Sequence, residues 1–384
     1  MTVRVDVEPD LLRWAVGRAG WSGATIAKRA PRFDDWITGT RPTLKQLEDF
    51  AHKTHTPLGY LFLSEPPEEH VPIPDMRTLR NQSVRQPSAD LLDIIYQCQS
   101  RQDWYSDFAA RHGLPEVEYV GEADMSTPPE IVADRIRQVL NFDVGERAAF
   151  TSWEDALRQL IDRIEGTGIL VMVSGIVGSD THRRLDPEEF RGLALVDPAA
   201  PLIFINGTDT KAAQIFTMIH ELGHIWLGQS ALSDAPMART SERDVELWCN
   251  QVAAEVLIPI ATLRTEYRGQ PTVREMERLA RKYRVSTLVV LKRVFDAGFL
   301  RWEDYQRRYT AERDRVIDAM KRNSNSGGGG NYYYTQPLRL SRQLARAVIA
   351  DTFEGGTTFR EAYRLLGTRK RETFDKLATE LGFG

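Results

Sequence analysis

The chain has 384 residues, enough for about two to four domains with a sizeable buried core, and an ordinary globular composition. Lys and Arg number 50 against 54 Asp and Glu, a formal charge of −4, which excludes a global electrostatic pull toward nucleic acid and leaves only local patches for such contact. Cys98 and Cys249 are too few and too far apart in sequence for a disulfide framework, no apolar run approaches a membrane span, and MTVRVDVEPD lacks an apolar signal region. A cytoplasmic protein without membrane contact is expected.

Residues 9–66 read as short helices. Pro9 suits a first helical turn and precedes Leu11, Leu12, Trp14 and Ala15. The pieces SGATIAKRA, PRFDDWITGTRP and TLKQLEDFAHKTHTPLGYLFL follow. Trp36, Gly39, Pro42, Thr43, Gln46, Leu47 and Ala51 come in an order that resembles the closing part of a helix-turn-helix domain of the Xre/Cro type. The interval between Ala27 and Trp36 is short for that type, so a truncated recognition helix is expected. Arg29, Arg32 and Arg41 are candidates for phosphate contacts, yet acidic residues nearly balance the basic ones. DNA binding through these helices and a degenerate module kept for protein contacts both stand open.

Residues 67–150 read as a helical connector region. It begins with a Pro-rich extended stretch at 67–78, followed by a long helix from Ser88 to His112, anchored by Leu91, Leu92, Ile94, Ile95 and Trp104. A loop at 113–128 and a helix from Pro128 to Leu140 complete it. Ser152 is placed to cap a helix running to Ile164. Strands are expected at Gly168 to Ser174, Arg191 to Val196 and Leu202 to Asn206, with a polar, turn-like stretch from Gly178 to Asp186 between them. His182 and Arg183 in that stretch either polarise a substrate carbonyl or sit unused at the surface.

The densest chemistry lies in IFTMIHELGHIWLG, residues 215–228. Ile215, Ile219, Leu222 and Trp226 recur at helical spacing, so the segment reads as a buried helix. His220 and His224 are one turn apart on one face, where two imidazoles reach one metal ion, and Glu221 between them is placed to take a proton from an attacking water. A third ligand is needed to complete a catalytic site. In the next amphipathic helix, DVELWCNQVAAEVLIP, the acidic candidates are Asp244, Glu246 and Glu255. Glu246 is preferred because Asn250, one turn on, is positioned to orient a ligand histidine. Glu255 faces the other way on an ideal helix and remains the alternative; Cys249 reads as a small buried residue.

HELGH followed by Glu246, Asn250, Ala253, Ala254, Glu255, Leu257 and Pro259 resembles the ImmA/IrrE family of zinc metallo-endopeptidases, as does the preceding FRGLALVDPAAPLIFINGTDTKAAQIFTMIHELGH. The likeness spans roughly residues 150–310. It implies an α+β, mostly helical fold: a zincin-like (gluzincin) core with a small β-sheet at 151–322, flanked by helical, helix-turn-helix-like modules. It implies Zn2+ held by His220, His224 and Glu246, with Glu221 as general base. It further implies that Leu202 to Asn206 is an edge strand to which an extended peptide adds. The implied activity is limited proteolysis of a regulatory protein, a repressor or an antitoxin-like partner. A DNA-binding regulator or antitoxin using the zincin fold as a scaffold is the rival reading.

Beyond His224, Ser230 to Arg243 is polar and reads as a wall or lid of a cleft. Residues 271–300 have the rhythm of a helix-turn-helix pair, either packing on the core or touching DNA. A charged helix from Trp302 to about Arg322 leads to a Gly/Ser/Asn linker at 323–331, which sets off a small helical unit at 332–384. That tail resembles C-terminal extensions on some Xre-plus-protease members of the family. Tyr332, Tyr333 and Tyr334 at its start are either a stacking surface or an anchor.

Overall fold

The computed structural model describes residues 3–74, 87–147, 149–233, 242–323 and 338–383. They divide into two compact units: one runs to Pro72 and takes in the helical residues up to Tyr96, and the other holds Ile73, Pro74 and everything from Gln97 onward. The residues expected to form a separate connector, from Gln97 to 150, therefore group with the later part of the chain.

The first unit is built from α1 (Pro9–Arg18), α2 (Gly23–Arg29), α3 (Phe33–Ile37) and α4 (Leu44–Lys53), closed by a 3-10 turn at Leu58–Phe62. The Ser22 hydroxyl accepts from Thr25 N at the start of α2. Thr43 and Gln46 exchange side-chain-to-backbone bonds as a capping box that fixes where α4 begins. Leu11, Leu12, Leu47, Phe50, Phe33 and Trp36 form the core, with Trp36 edge-on to Phe50. Helix α3 has only five residues, and Asp34 and Asp35 fill its first turn. Of the basic residues considered for phosphates, Arg29 lies over the Trp21 ring at 5.7 Å and Arg41 pairs with Asp6.

In the second unit, the part of α5 (Ala89–His112) from Gln97 onward, α6 (Pro129–Leu140), the single turn α7 (Val144–Arg147) and α8 (Trp153–Glu165) precede a sheet. Its strands are β1 (Leu170–Ser174), β4 (Gly192–Leu195), β5 (Leu202–Asn206) and β6 (Ala231–Ser233), in the order β1-β5-β4-β6. β1 and β5 are parallel and the other pairs antiparallel. The stretch expected to be only a turn holds a small hairpin, β2 (Ile176–Val177) with β3 (Asp180–Arg184), which carries His182 and Arg183.

One expectation is corrected here. Leu202–Asn206 is not an edge strand: it is flanked by β1 and β4 and buried at every position. An unbroken apolar run such as LIFIN marks a strand covered on both faces, which is the pattern of an interior strand. The edge on the β4 side is β6, and it lies in the stretch expected to be irregular. Leu232 N on β6 donates to Pro74 O at 3.0 Å, so the Pro-rich stretch reaches that edge. Of the rest of the expected lid, 234–241 lies outside the described residues, and Glu242 and Arg243 open the next helix.

Helix α9 (Lys211–Leu227) starts at Thr210, whose hydroxyl accepts from Ala213 N, and stops at Gly228 with φ of 67°. That left-handed turn costs glycine little, and a Cβ there would also press to 3.1 Å from Gly121 Cα. The close approach lets Gly121 N and Ala123 N bond to Ile225 O and Trp226 O, the last carbonyls of the helix. α9 packs against α8, β4, β5 and α10 (Glu242–Leu257). The tail end of α10 is finished by arginines. Arg137 donates to Glu255 O, Arg147 to Val256 O and Leu257 O, and Arg293 to Ile258 O. These are the carbonyls a helix leaves without partners, and three positive charges there also suit its dipole.

α11 (Ile260–Glu266), α12 (Val273–Tyr283) and α13 (Thr287–Asp296) follow. Met276, Leu279, Tyr283, Val290, Leu291 and Val294 join the main core, so this helical pair packs on the metal-site helices. After α14 (Trp302–Asn323), the linker beyond Asn323 and the three tyrosines lie outside the described residues. The tail forms α15 (Arg342–Phe353), α16 (Phe359–Leu365) and α17 (Arg371–Glu380). It is fastened to α5: Arg101 donates to Leu365 O, and Arg111 pairs with Asp351. Thr357 Oγ1 donates to Asp351 Oδ2 at 2.5 Å and accepts from Trp104 Nε1 at 3.1 Å.

Burial alone would raise the Asp351 carboxyl, but the Arg111 guanidinium and the Thr357 hydroxyl outweigh it and hold the group below the ordinary carboxylate range. A depressed folded pKa means stability that is present above the unfolded value, about 3.9, and is lost as pH falls through the folded value. Asp351→Ala should therefore cost about 2–3 kcal/mol at neutral pH, and the gap to the unchanged protein should narrow below about pH 4. Denaturant melts at the two pH values read this directly. Among the described residues no helix is long and apolar enough to cross a membrane.

Candidate metal centre

The site forms where α9 meets α10. A Cβ on Gly223 would lie 3.3 Å from Cys249 Sγ, so the missing side chain lets the two helices approach closely at the middle of HELGH. This accounts for Cys249: it is wholly buried in the helix contact, burial pushes its thiol well above the usual range, and it is not among the converging donors.

His220, His224 and Glu246 come together, each buried. His220 Nε2 lies 3.2 Å from Glu246 Oε2, His224 Nε2 3.1 Å from Glu246 Oε1, and the two Nε2 atoms 3.2 Å from each other. His220 Nδ1–H donates to Asn250 Oδ1 at 3.2 Å, which turns Nε2 toward the cluster. Ligand atoms at about 2.0–2.1 Å on a tetrahedron stand roughly 3.3–3.4 Å apart, so this spacing fits one small cation. The donor set, two imidazoles and a carboxylate, is one that borderline-soft divalent metals take.

The charges follow from that crowding. Burial disfavours a charged His220, yet the Glu246 carboxylate outweighs it and lifts the imidazole to about 9. His224 moves the other way, lowered by burial and by its neighbour His220. Burial likewise opposes a charged Glu246, but the two imidazoles hold it well below the usual carboxylate range.

Glu221 is fully buried beside these residues, with the Ser233 hydroxyl as a hydrogen-bonding neighbour that only partly offsets the loss of water. Burial, with the Glu246 charge adding to it, pushes its carboxyl up to about 8. A carboxylate kept dry and raised toward neutrality is suited to taking and returning a proton.

Among the other residues weighed as ligands, Asp244 is absent from the cluster. Glu255 points away, pairs with buried Arg293 and accepts from Ile260 N at 3.3 Å, which ties the end of α10 to the start of α11. Glu255→Gln should leave metal content unchanged and lower stability by about 2–4 kcal/mol, because Arg293 would stay buried without its counter-charge. Metal analysis and thermal melts separate the two effects. His182 and Arg183 lie on β3, outside the cluster.

Two residues near the site escaped the sequence reading. The Ser233 hydroxyl, fully buried on β6, lies 3.4 Å from Glu246 Oε1 and 3.5 Å from His224 Nε2. Gly192 on β4 backs onto Glu221. Neither has a signal in sequence, since one sits in a stretch read as irregular and the other is a glycine in a strand.

Residues 164–295 match the family described as the IrrE N-terminal-like domain, and residues 340–380 match a family described as a domain of unknown function. A relative, the radiation response metalloprotease IrrE of Deinococcus radiodurans, is 30% identical over 145 residues. The match covers 36% of this chain and 43% of that protein, so it spans less than half of the relative's length. No solved structure matches the chain.

Proposed function

Residues 164–295 place the chain in the ImmA/IrrE family, and from that premise we propose that it is a zinc-dependent endopeptidase that makes limited cuts in one regulatory protein. The observation that carries this reading is the buried carboxylate of Glu221 beside the converging Nε2 atoms of His220 and His224 and the carboxylate of Glu246. Those three residues would hold the ion, with Asn250 orienting His220. Zinc, when bound, supplies a Lewis acid that acidifies water and polarises a peptide carbonyl. Glu221 accepts the proton of the attacking water and returns it to the leaving amine, and its dry surroundings keep that proton from leaking to solvent.

The partner in this reading is a protein, a repressor or an antitoxin-like regulator, met in the cytoplasm. The N-terminal unit is assigned to recognising that partner. Its five-residue α3 opens with Asp34 and Asp35, which repel a phosphate backbone, and Arg29 and Arg41 are already engaged. The test is a survey of new protein N-termini in cells expressing the chain or its Glu221→Gln variant. Termini that arise only with the unchanged chain, clustered in one protein, support the reading; identical termini in both, with regulation intact, overturn it in favour of a non-proteolytic regulator.

A further inference from the structure

The sheet, and not only the two helices, builds this site. In the β4–β6 ladder Gly192 stands directly opposite Ser233. A Cβ at Gly192 would lie 2.6 Å from Glu221 Oε1 and 2.8 Å from Thr217 Cγ2, distances no real side chain adopts. The space glycine leaves is therefore the space the Glu221 carboxylate fills. Its partner across the ladder does the reverse: Ser233 sends a buried hydroxyl to Glu246 Oε1 at 3.4 Å, 3.5 Å from His224 Nε2.

We propose that this single cross-strand pair positions both carboxylates of the centre, Gly192 by admitting the proton-transfer residue Glu221 and Ser233 by holding the third ligand Glu246. The assignment rests on the metallopeptidase reading for Glu221 but needs only metal binding for Ser233. Outer partners that fix a ligand carboxylate commonly set metal affinity, because the ligand is bound without first losing rotamer freedom. A register slip of one residue in β6 would turn Ser233 away and bring Leu232 or Asp234 to its place, so the short ladder is also what fixes the centre's composition.

The two substitutions have opposite signatures. Ser233→Ala should weaken Zn2+ binding by about 10–100-fold in competition with a chromophoric chelator, with the melting of the metal-free protein unchanged. Ser233→Thr, which keeps the hydroxyl, should restore most of the loss. Gly192→Ala should keep Zn2+ affinity within a few-fold but slow peptide cleavage about as much as Glu221→Gln does. It should add nothing further in the double variant, because it acts through that carboxylate. Zn2+ affinity within twofold of the unchanged protein in Ser233→Ala overturns the Ser233 assignment. Independent, multiplying losses in the double variant overturn that of Gly192. If the unchanged chain binds Zn2+ but cleaves nothing, the peptidase reading and the Gly192 role fail together, while the Ser233 arm is still decided by affinity alone.

Discussion

Glu221→Gln is expected to bind Zn2+ about as tightly as the unchanged chain and to cleave its protein substrate about 10²–10⁴-fold more slowly, the range a positioned general base supplies. The amide has nearly the same shape, so the buried space beside Gly192 is filled as before and the fold is undisturbed. The buried carboxylate, lifted to about 8, is replaced by a group that cannot accept the proton. Because glutamine needs no proton to stay neutral, the variant escapes the cost of protonating a buried carboxyl and should melt higher than the unchanged metal-free protein at neutral pH, with the gap closing below about pH 4. Steady-state kinetics with metal analysis on the same samples is the measurement. A variant that retains full turnover would remove Glu221 from the chemistry, and one that loses metal would make it part of the binding set.

Glu246→Ala should show the second large effect. It removes the group toward which both Nε2 atoms converge, at 3.1 and 3.2 Å, and with it the charge that raises His220. The loss in Zn2+ affinity should exceed the ~10–100-fold that an outer partner is worth, and turnover should vanish with the metal. It should also erase the stabilisation that the ion gives. A ligand bound only by the folded state at 1,000 times its Kd contributes about 4 kcal/mol, so the unchanged chain should melt higher on adding Zn2+ while the variant does not respond. A variant that still gains stability from Zn2+ would assign the third ligand elsewhere.

The site's helical half was legible because helices write their faces into sequence. His220 and His224 four apart, then Glu246 and Asn250 four apart, already name what each turn presents, and the structure brings these residues to within hydrogen-bond distance. The arginines that finish α10 were not legible, since Arg137, Arg147 and Arg293 come from three separate segments and meet only in the packed chain. The strand half failed for a different reason. LIFIN was recognisable as a strand, but its neighbours are set by the order in which strands assemble, and no local pattern carries that order. β6 is three residues long, below what an alternating pattern can signal, so Ser233 was hidden with it.

The bond from Leu232 N to Pro74 O bears on which substrates the centre would accept. A peptide adding to the β6 edge competes with a segment of the same chain, and a tethered competitor acts at an effective concentration of the order of millimolar. Proline carries no N–H, so Pro74 itself accepts from this edge and gives nothing back to it. Short, weakly held peptides would lose that contest, whereas a folded partner gripped at a second place would win it. Selectivity of this kind needs no specificity pocket; it follows from a threshold of avidity that casual substrates do not reach.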